Sequence, residues 1–245
     1  MGYEADMHRR LFPLIVAFGF AASVRADDAV SAARWSLHAE CQMLVLPQKL
    51  ALPLIADLND DAKIEAAWTT AQQMIARGEA TLAANLVLKG EAEKTLLSES
   101  VEELRYATEF DPPQLPQDVP KEKIAEVLKN WPVVGITPTA FETRKMGATL
   151  ELNATVSDDG EWISAEVTPQ HVRLLRFAKY DAGTMPSGEH LSVEQPQFLT
   201  LANKLKMHLR SGQRMLVGVH KLPGDENKME LFILRVSARR TGTKK

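Results

Sequence analysis

An α+β fold built mainly of antiparallel β-hairpins, with two short amino-terminal helices packed on the sheet, is what the sequence predicts. Three observations carry that reading. Residues 146–169, "MGATLELNATVSDDGEWISAEVTP", alternate apolar and polar side chains on both sides of an acidic, glycine-containing break. Strict alternation of this kind gives a strand one apolar and one polar face. Helical spacing occurs in the first 80 residues, in "DDAKIEAAWTTAQQMIARG" at 60–78, and the later segments alternate with period two. Six of the 13 prolines fall within 111–140, a density that no central strand tolerates.

The elements follow in order. "RWSLHAECQMLVLP" at 34–47 puts Trp35, Leu37, Ala39, Cys41, Met43 and Val45 on one face, which predicts a half-buried strand with Cys41 as a core residue. A short helical piece covers 49–58. The second helix takes Asn59 or Asp60 as N-cap, places Ile64, Ala67, Trp68, Ala71 and Ile75 at helical spacing, and stops at Gly78. Strands resume at 80–89 and 93–106. The span 111–140 reads as a proline-rich surface excursion with a short helix at 121–130. The hairpin 146–169 follows, then a strand at 172–180, a loop at 182–197, and strands at 201–210, 213–220 and 228–238. The basic end "RRTGTKK" reads as a frayed tail.

The structural turn positions are Gly147, Asp159, Gly160, Gly212 and Gly218. Asp accepts hydrogen bonds from nearby backbone and Gly takes positive φ without steric cost. Gly218 also leaves room for another backbone or a bulky chain to approach.

The first 26 residues have the order of an export signal. A basic stretch (His8, Arg9, Arg10) precedes the apolar run "LFPLIVAFGFAA" at 11–22, and Val24 and Ala26 are small enough for the −3 and −1 cleavage positions. Twelve apolar residues are too few for a spanning helix, which needs about 20. The expected mature chain starts at Asp27, and Met7 reads as the start codon. Removing Arg9, Arg10, Arg25, Glu4 and Asp6 from 29 basic and 32 acidic residues leaves 26 and 30, a net charge of −4. That balance gives no electrostatic case for nucleic acid. The single cysteine excludes an intrachain disulfide and lies too far past the cleavage site for a lipoprotein anchor.

No catalytic constellation emerges from the sequence. The sequence holds no G-x-S-x-G, no S-x-x-K with K-T-G, and no H-E-x-x-H. Histidines 38, 171, 190, 208 and 220 are dispersed along the chain, and Asp158-Asp159 suits a turn better than a calcium loop, which needs more oxygen ligands at regular spacing. The expectation is no catalytic residue, no cofactor and no metal. One sharper pattern remains: Lys204, Lys206, His208 and Arg210 share one face of a strand. This basic stripe is a candidate docking face for an acidic partner, a phosphate-rich headgroup or a neighbouring subunit. The favoured reading of the same pattern is the solvated side of an amphipathic strand.

The order of these segments resembles the core domain of the secretins, the ring-forming outer-membrane channel proteins of type II and type III secretion and type IV pili. In that family a Val-Gly-x-x-Leu-x-Val-x-Pro strand leads to an Asp-Gly turn, as in "MGATLELNATVSDDGEWISAEVTP". A later strand ends in Asp-Gly-Gln-Thr and runs into a Gly-Gly segment, similar to "LKMHLRSGQRMLVGV", and the closing strand is similar to "MELFILRVSAR". "ATLAANLVLKGEAEKTLLSESVEELRY" resembles the family's entry hairpin, so the likeness covers about 68–239. It implies a division into a signal peptide (1–26), an amino-terminal α/β part of the core (27–110), the proline-rich excursion (111–140), a β-rich carboxy-terminal core (141–239) and a basic tail (240–245).

Two segments depart from the family. Only "HKLPGDENKM" joins the last two strands, and "LLRFAKYDAGTMPSGEHLSVEQPQF" offers no alternating apolar run of the nine to eleven residues a membrane strand needs. The expectation is that no ring-building domains precede the core. The resemblance therefore implies a reduced, exported, non-enzymatic envelope component. It would lie in the periplasm or peripherally at the outer membrane, as a homo-oligomer or bound to other secretion or pilus proteins. An exported monomeric binding module that keeps the fold without a ring is the alternative, and an exported hydrolase a third reading.

Overall fold

The computed structural model describes residues 35–112, 118–124, 126–127, 135–185, 188, 190–225 and 227–241. The expected export signal at 1–26 and the last four residues of the tail lie outside them. The first strand, β1 (Trp35–Pro47), is followed by helices α1 (Gln48–Leu58) and α2 (Ile64–Ala76). Then come β2 (Thr81–Glu91), β3 (Leu96–Asp111), β4 (Thr137–Val156), β5 (Trp162–Thr184), β6 (His190–Ala202), β7 (Leu205–Arg210), β8 (Arg214–Lys221) and β9 (Lys228–Arg240). Strands dominate, every strand pairing among the described residues is antiparallel, and the two helices lie on a sheet, so the α+β class holds.

The strands form two sheets. Sheet A has the order β2-β1-β9-β8, and sheet B the order β3-β4-β5-β6 with β7 also on β5. Period-two alternation decides the layering. On β1, Leu37, Ala39, Cys41 and Met43 face sheet B, where they join Leu150, Leu152, Ile163 and Val167 with Phe232 and Leu234 of β9. The intervening Leu44 and Leu46 point the other way and pack with Leu231 and Ile233 against Leu54, Leu58, Ala67, Trp68 and Ala71 of the helices. Sheet A is therefore buried on both faces where the helices cover it, and the order of layers is helices, sheet A, sheet B. Opposite Cys41, Ser36, His38 and Glu40 form the expected half-buried polar face, and only its far end, at Leu44 and Leu46, joins a second core beneath the helices. Since β1 pairs β9 along its whole length, the two ends of the described chain share one sheet.

Sheet B extends beyond this sandwich. The β4–β5 ladder runs from Val156↔Ile163 to Gly147↔Val172 and stops. Past that fork β4 continues with β3 to Asp111↔Thr137, and β5 continues with β6 to Thr184↔His190, as two separate two-stranded ribbons.

Several expected elements change. The strands 162–169 and 172–180 are one 23-residue strand, because Pro169 lies where one edge of β5 passes from β7 (Val167↔Leu205) to β6 (Gln170↔Ala202). In that gap no ladder bond is required of its missing N–H. The loop expected at 182–197 is largely strand β6; Pro196 is tolerated because β6 is a terminal strand. The strand expected at 201–210 is broken at Asn203-Lys204, and the excursion is shortened by β4 starting at Thr137. Lys121–Lys123 form a 3₁₀ turn, while residues 125 and 128–130 of the expected helix lie outside the described residues.

Candidate interaction surface and the fork beneath it

The fork is built from a glycine and a buried carboxylate. Gly147 sits inside β4, which corrects its assignment to a turn. Its φ is +121°, and an added Cβ would lie 2.2 Å from the Ser100 carbonyl oxygen and 3.0 Å from Val101 Cα. Only a residue without Cβ lets the β3 backbone come this close at such an angle. On the other side of the fork, Glu230 of β9 is fully buried and points from sheet A toward β5. His171 Nδ1–H donates to Glu230 Oε1 at 2.5 Å, and Arg173 NH1 lies 3.6 Å from Oε2. An ionised carboxylate is costly to bury unless paired, so this contact fixes β5 to β9 where β5 leaves the sandwich.

A second pair extends the cluster. His220 of β8 stands in register with Glu230 and its Nε2–H donates to Asn203 Oδ1 at 2.7 Å, with the imidazole 4.8 Å from the Phe232 ring. Burial holds the His220 imidazole below its ordinary pKa, and the nearby Glu230 charge opposes that shift. Gly218 lies inside β8 rather than in a turn. A Cβ there would stand 2.6 Å from Asn203 Oδ1 and 3.1 Å from His220 Nε2, so the glycine makes room for this pair. Histidines 171 and 220, far apart in sequence, thus flank one carboxylate. The cluster joins two sheets and contains no nucleophile. Among the described residues no group of three His, Cys, Asp or Glu is placed to hold a metal.

Arg214 fixes the helices in the same manner. Its guanidinium lies 4.5 Å from the Trp68 ring, donates to Gln42 Oε1 at 3.4 Å, and stands 3.5 Å from Glu65. Desolvation lowers its pKa and the Glu65 charge partly restores it. Cys41 is buried, and burial pushes its thiol up to about 12, so it carries no nucleophile at neutral pH.

The three remaining turn positions lie between strands. Between β4 and β5, Asp159 accepts from Ser157 Oγ at 2.5 Å and from the Glu161 amide at 2.9 Å. Ser157 and that amide hold the Asp159 carboxyl below its usual range. Gly160 beside it has φ +78° and lies under the Trp35 ring, which a Cβ would approach to 2.2 Å. Gly212, at φ +87°, joins β7 in sheet B to β8 in sheet A; its amide donates to Val236 O at 2.7 Å.

The basic stripe occupies the outer face of sheet B. Lys204 precedes β7, and Lys206, His208 and Arg210 lie on it, opposite Glu166, Ser164 and Trp162 of β5. Lys204 and Lys206 share the Glu166 carboxylate at 3.2 and 3.6 Å, and Lys204 foremost holds that carboxyl below its usual range. His208 Nδ1 is joined to Ser164 Oγ at 2.9 Å, and Arg210 lies 5.2 Å from the Trp162 ring. The stripe is partly neutralised and partly capped by an aromatic ring rather than bare.

Beyond the fork the ribbons touch through side chains. Tyr106 of β3 and Phe198 of β6 have ring centroids 5.6 Å apart, and Arg144 of β4 donates to Thr200 Oγ1 at 3.4 Å with its guanidinium 6.0 Å from the Phe198 ring. Gln195 Nε2 donates to the Ala107 carbonyl at 2.9 Å, where the β3–β4 ladder is irregular. Sequence reasoning missed this seam and the Glu230 cluster. The one available signal was a Glu set inside the apolar run "MELFIL".

No family model matches the sequence, and no curated protein matches it. Solved structures do. The chain is similar to the secretin InvG of the Salmonella SPI-1 type III secretion injectisome at 10% identity, covering 86% of this chain and 65% of that one, with a TM-score of 0.36. It is similar to the type II secretin GspD from enteropathogenic Escherichia coli at 9% identity, covering 85% and 70% with a TM-score of 0.39. For Aeromonas hydrophila ExeD the identity is 10%, the coverage 86% and 50%, and the TM-score 0.35. The chain spans 65% of the length of InvG and half of that of ExeD. InvG and GspD are secretins, the family that the sequence motifs of this chain resemble.

Proposed function

We propose that the chain is an exported, non-enzymatic envelope protein that acts as a structural or assembly component of a secretin-like outer-membrane complex, of the type II or III secretion or pilus kind. The observation that supports it most is the pair of ribbons. Strands of 16, 20, 23 and 13 residues extend past the fork and out of the sandwich, and beyond the fork they carry exposed Phe141, Phe177 and Tyr180. Such strands offer edges to further copies or to other envelope proteins. The basic, apolar and small-residue order at 8–26 supports export with cleavage after Ala26. The stripe at Lys204, Lys206, His208 and Arg210 is the docking face in this reading, with Trp162 beside it. A monomeric binding module is the second reading, favoured by the seam that already ties the two ribbons together within one copy.

Light scattering of residues 27–245 after size-exclusion chromatography tests the reading. Multimers support the assembly component, and a monomer at every concentration and in detergent overturns it in favour of the module. Carbonate washing of membranes adds the location: release fits a peripheral component, while retention with conductance in a planar bilayer shows a channel.

A further inference from the structure

The seam closes sheet B on itself without completing it. β3 and β6 are the terminal strands of the sheet, and among the described residues past the fork β3 pairs only with β4 and β6 only with β5. A sheet that closes fully removes its edges by backbone pairing. Here the two ends are brought together by Tyr106 on Phe198, Arg144 on Phe198 and Thr200, and Gln195 on the Ala107 carbonyl. These are contacts between unlike strands. In a head-to-tail assembly of identical copies, the strand presented to β3 of one copy at this level of the sheet is β6 of the next.

We propose that the seam is an intramolecular stand-in for the contact between copies: it shields β3 and β6 in a single chain, and it opens so that each strand meets its counterpart on a neighbouring molecule. The partner is therefore a second copy of this chain. Three local features suit a closure that holds yet releases. The seam consists of side-chain contacts, which break without unravelling either hairpin. Pro196 in β6 and the irregular ladder at Ala107/Glu109 in β3 keep both terminal strands from zipping along their length. The Gln195 amide occupies a β3 carbonyl that a paired strand would otherwise compete for. The exchange has the logic of a domain swap, in which the same contact forms within or between chains. It rests on the assembly reading above.

The test uses Tyr106→Cys with Phe198→Cys in residues 27–245, treated with a short bis-maleimide. Cys41 does not compete, being buried with a raised pKa. In dilute monomer the expected product is cross-linked within one chain, and that locked protein loses assembly under conditions where unmodified protein multimerises. In the assembled state the expected product is cross-linked between chains. Locked protein that assembles as the unlocked protein does, or assembled protein cross-linked only within chains, overturns the seam while leaving the assembly reading intact. If neither locked nor unlocked protein multimerises, including a Tyr106→Ser, Phe198→Ser variant that opens the seam, the assembly reading itself falls, and the seam proposal with it.

Discussion

The sandwich and the ribbons are made from the same strands but obey different physics. Below the fork, β4 and β5 bury Leu150, Leu152, Ile163 and Val167 against β1 and β9, and the large fully buried side chains all lie in this part. Above it the same two strands carry Phe141, Phe177 and Tyr180 at 47%, 49% and 50% exposure. Burial of apolar area at about 25 cal/mol per Å² stabilises the first region and is largely forgone in the second. A two-stranded ribbon is marginal alone. The sandwich is therefore the folding unit, and the ribbons are held by the fork, the seam and whatever they meet in use.

The comparison breaks most sharply at Phe232, fully buried between the sheets. Phe232→Ala is expected to destabilise by about 3–5 kcal/mol, read from denaturant midpoints. A shift below about 1 kcal/mol would place the core elsewhere. Glu230→Ala comes next, at about 3 kcal/mol, because it strips the carboxylate from a buried His171. Arg173 is partly exposed, which keeps the loss toward the lower end of what a broken buried pair costs. Its distinctive sign is in hydrogen exchange: amides of 173–184 and 190–199 should lose protection before those of β1, since the fork is where the ribbon is fixed to sheet A.

Gly147→Ala tests the fork from the other side. A Cβ at positive φ against the Ser100 carbonyl is expected to cost about 1–3 kcal/mol. Wild-type stability in this variant would mean that β3 does not approach β4 as described.

How far the sequence could anticipate this contrast depends on the range of the interactions. The strands β1, β8 and β9 and both helices were legible because alternation and helical spacing are local. Pro169 and Pro196 misled, since proline argues against a strand unless the neighbouring edge is known, and edges are a property of the assembled sheet. The fork at Gly147 and the meeting of His171, His220 and Glu230 were illegible for the same reason. Residues 59 apart become neighbours only once β5 crosses β9. The stripe at 204–210 was legible as a pattern, but its neutralisation by Glu166 was not.

A smaller effect separates the cluster from its surroundings by pH. The folded pKa of His220 lies below its ordinary value of about 6.5, so the unfolded chain takes up the proton first. The stabilisation is full above that ordinary value and is lost as pH falls through the lower folded value. Wild type should therefore lose stability on acidification below about pH 6.5 more steeply than His220→Gln, with denaturant midpoints taken across that range. Parallel curves would show that His220 is solvated in the folded state.

The smallest effect on stability is expected in the ribbons, and there its smallness is the point. Phe177 and Tyr180 lie on β5 beyond the fork, about half exposed, where a single chain gives them little to pack on. Replacing both with Ser should move the denaturant midpoint of dilute monomer by no more than about 0.5 kcal/mol, as for surface positions generally. If the ribbons meet other copies, a partner protein or lipid, the same variant should lose assembly or membrane retention, because apolar side chains idle in one copy are then buried in the complex. Light scattering and membrane fractionation of the double variant, run beside its denaturation curve, separate the two. Unchanged stability with lost association makes the ribbons contact surfaces. A fall in monomer stability of the size seen at Phe232 would show that they belong to the folding core, and the contrast between the two regions would dissolve.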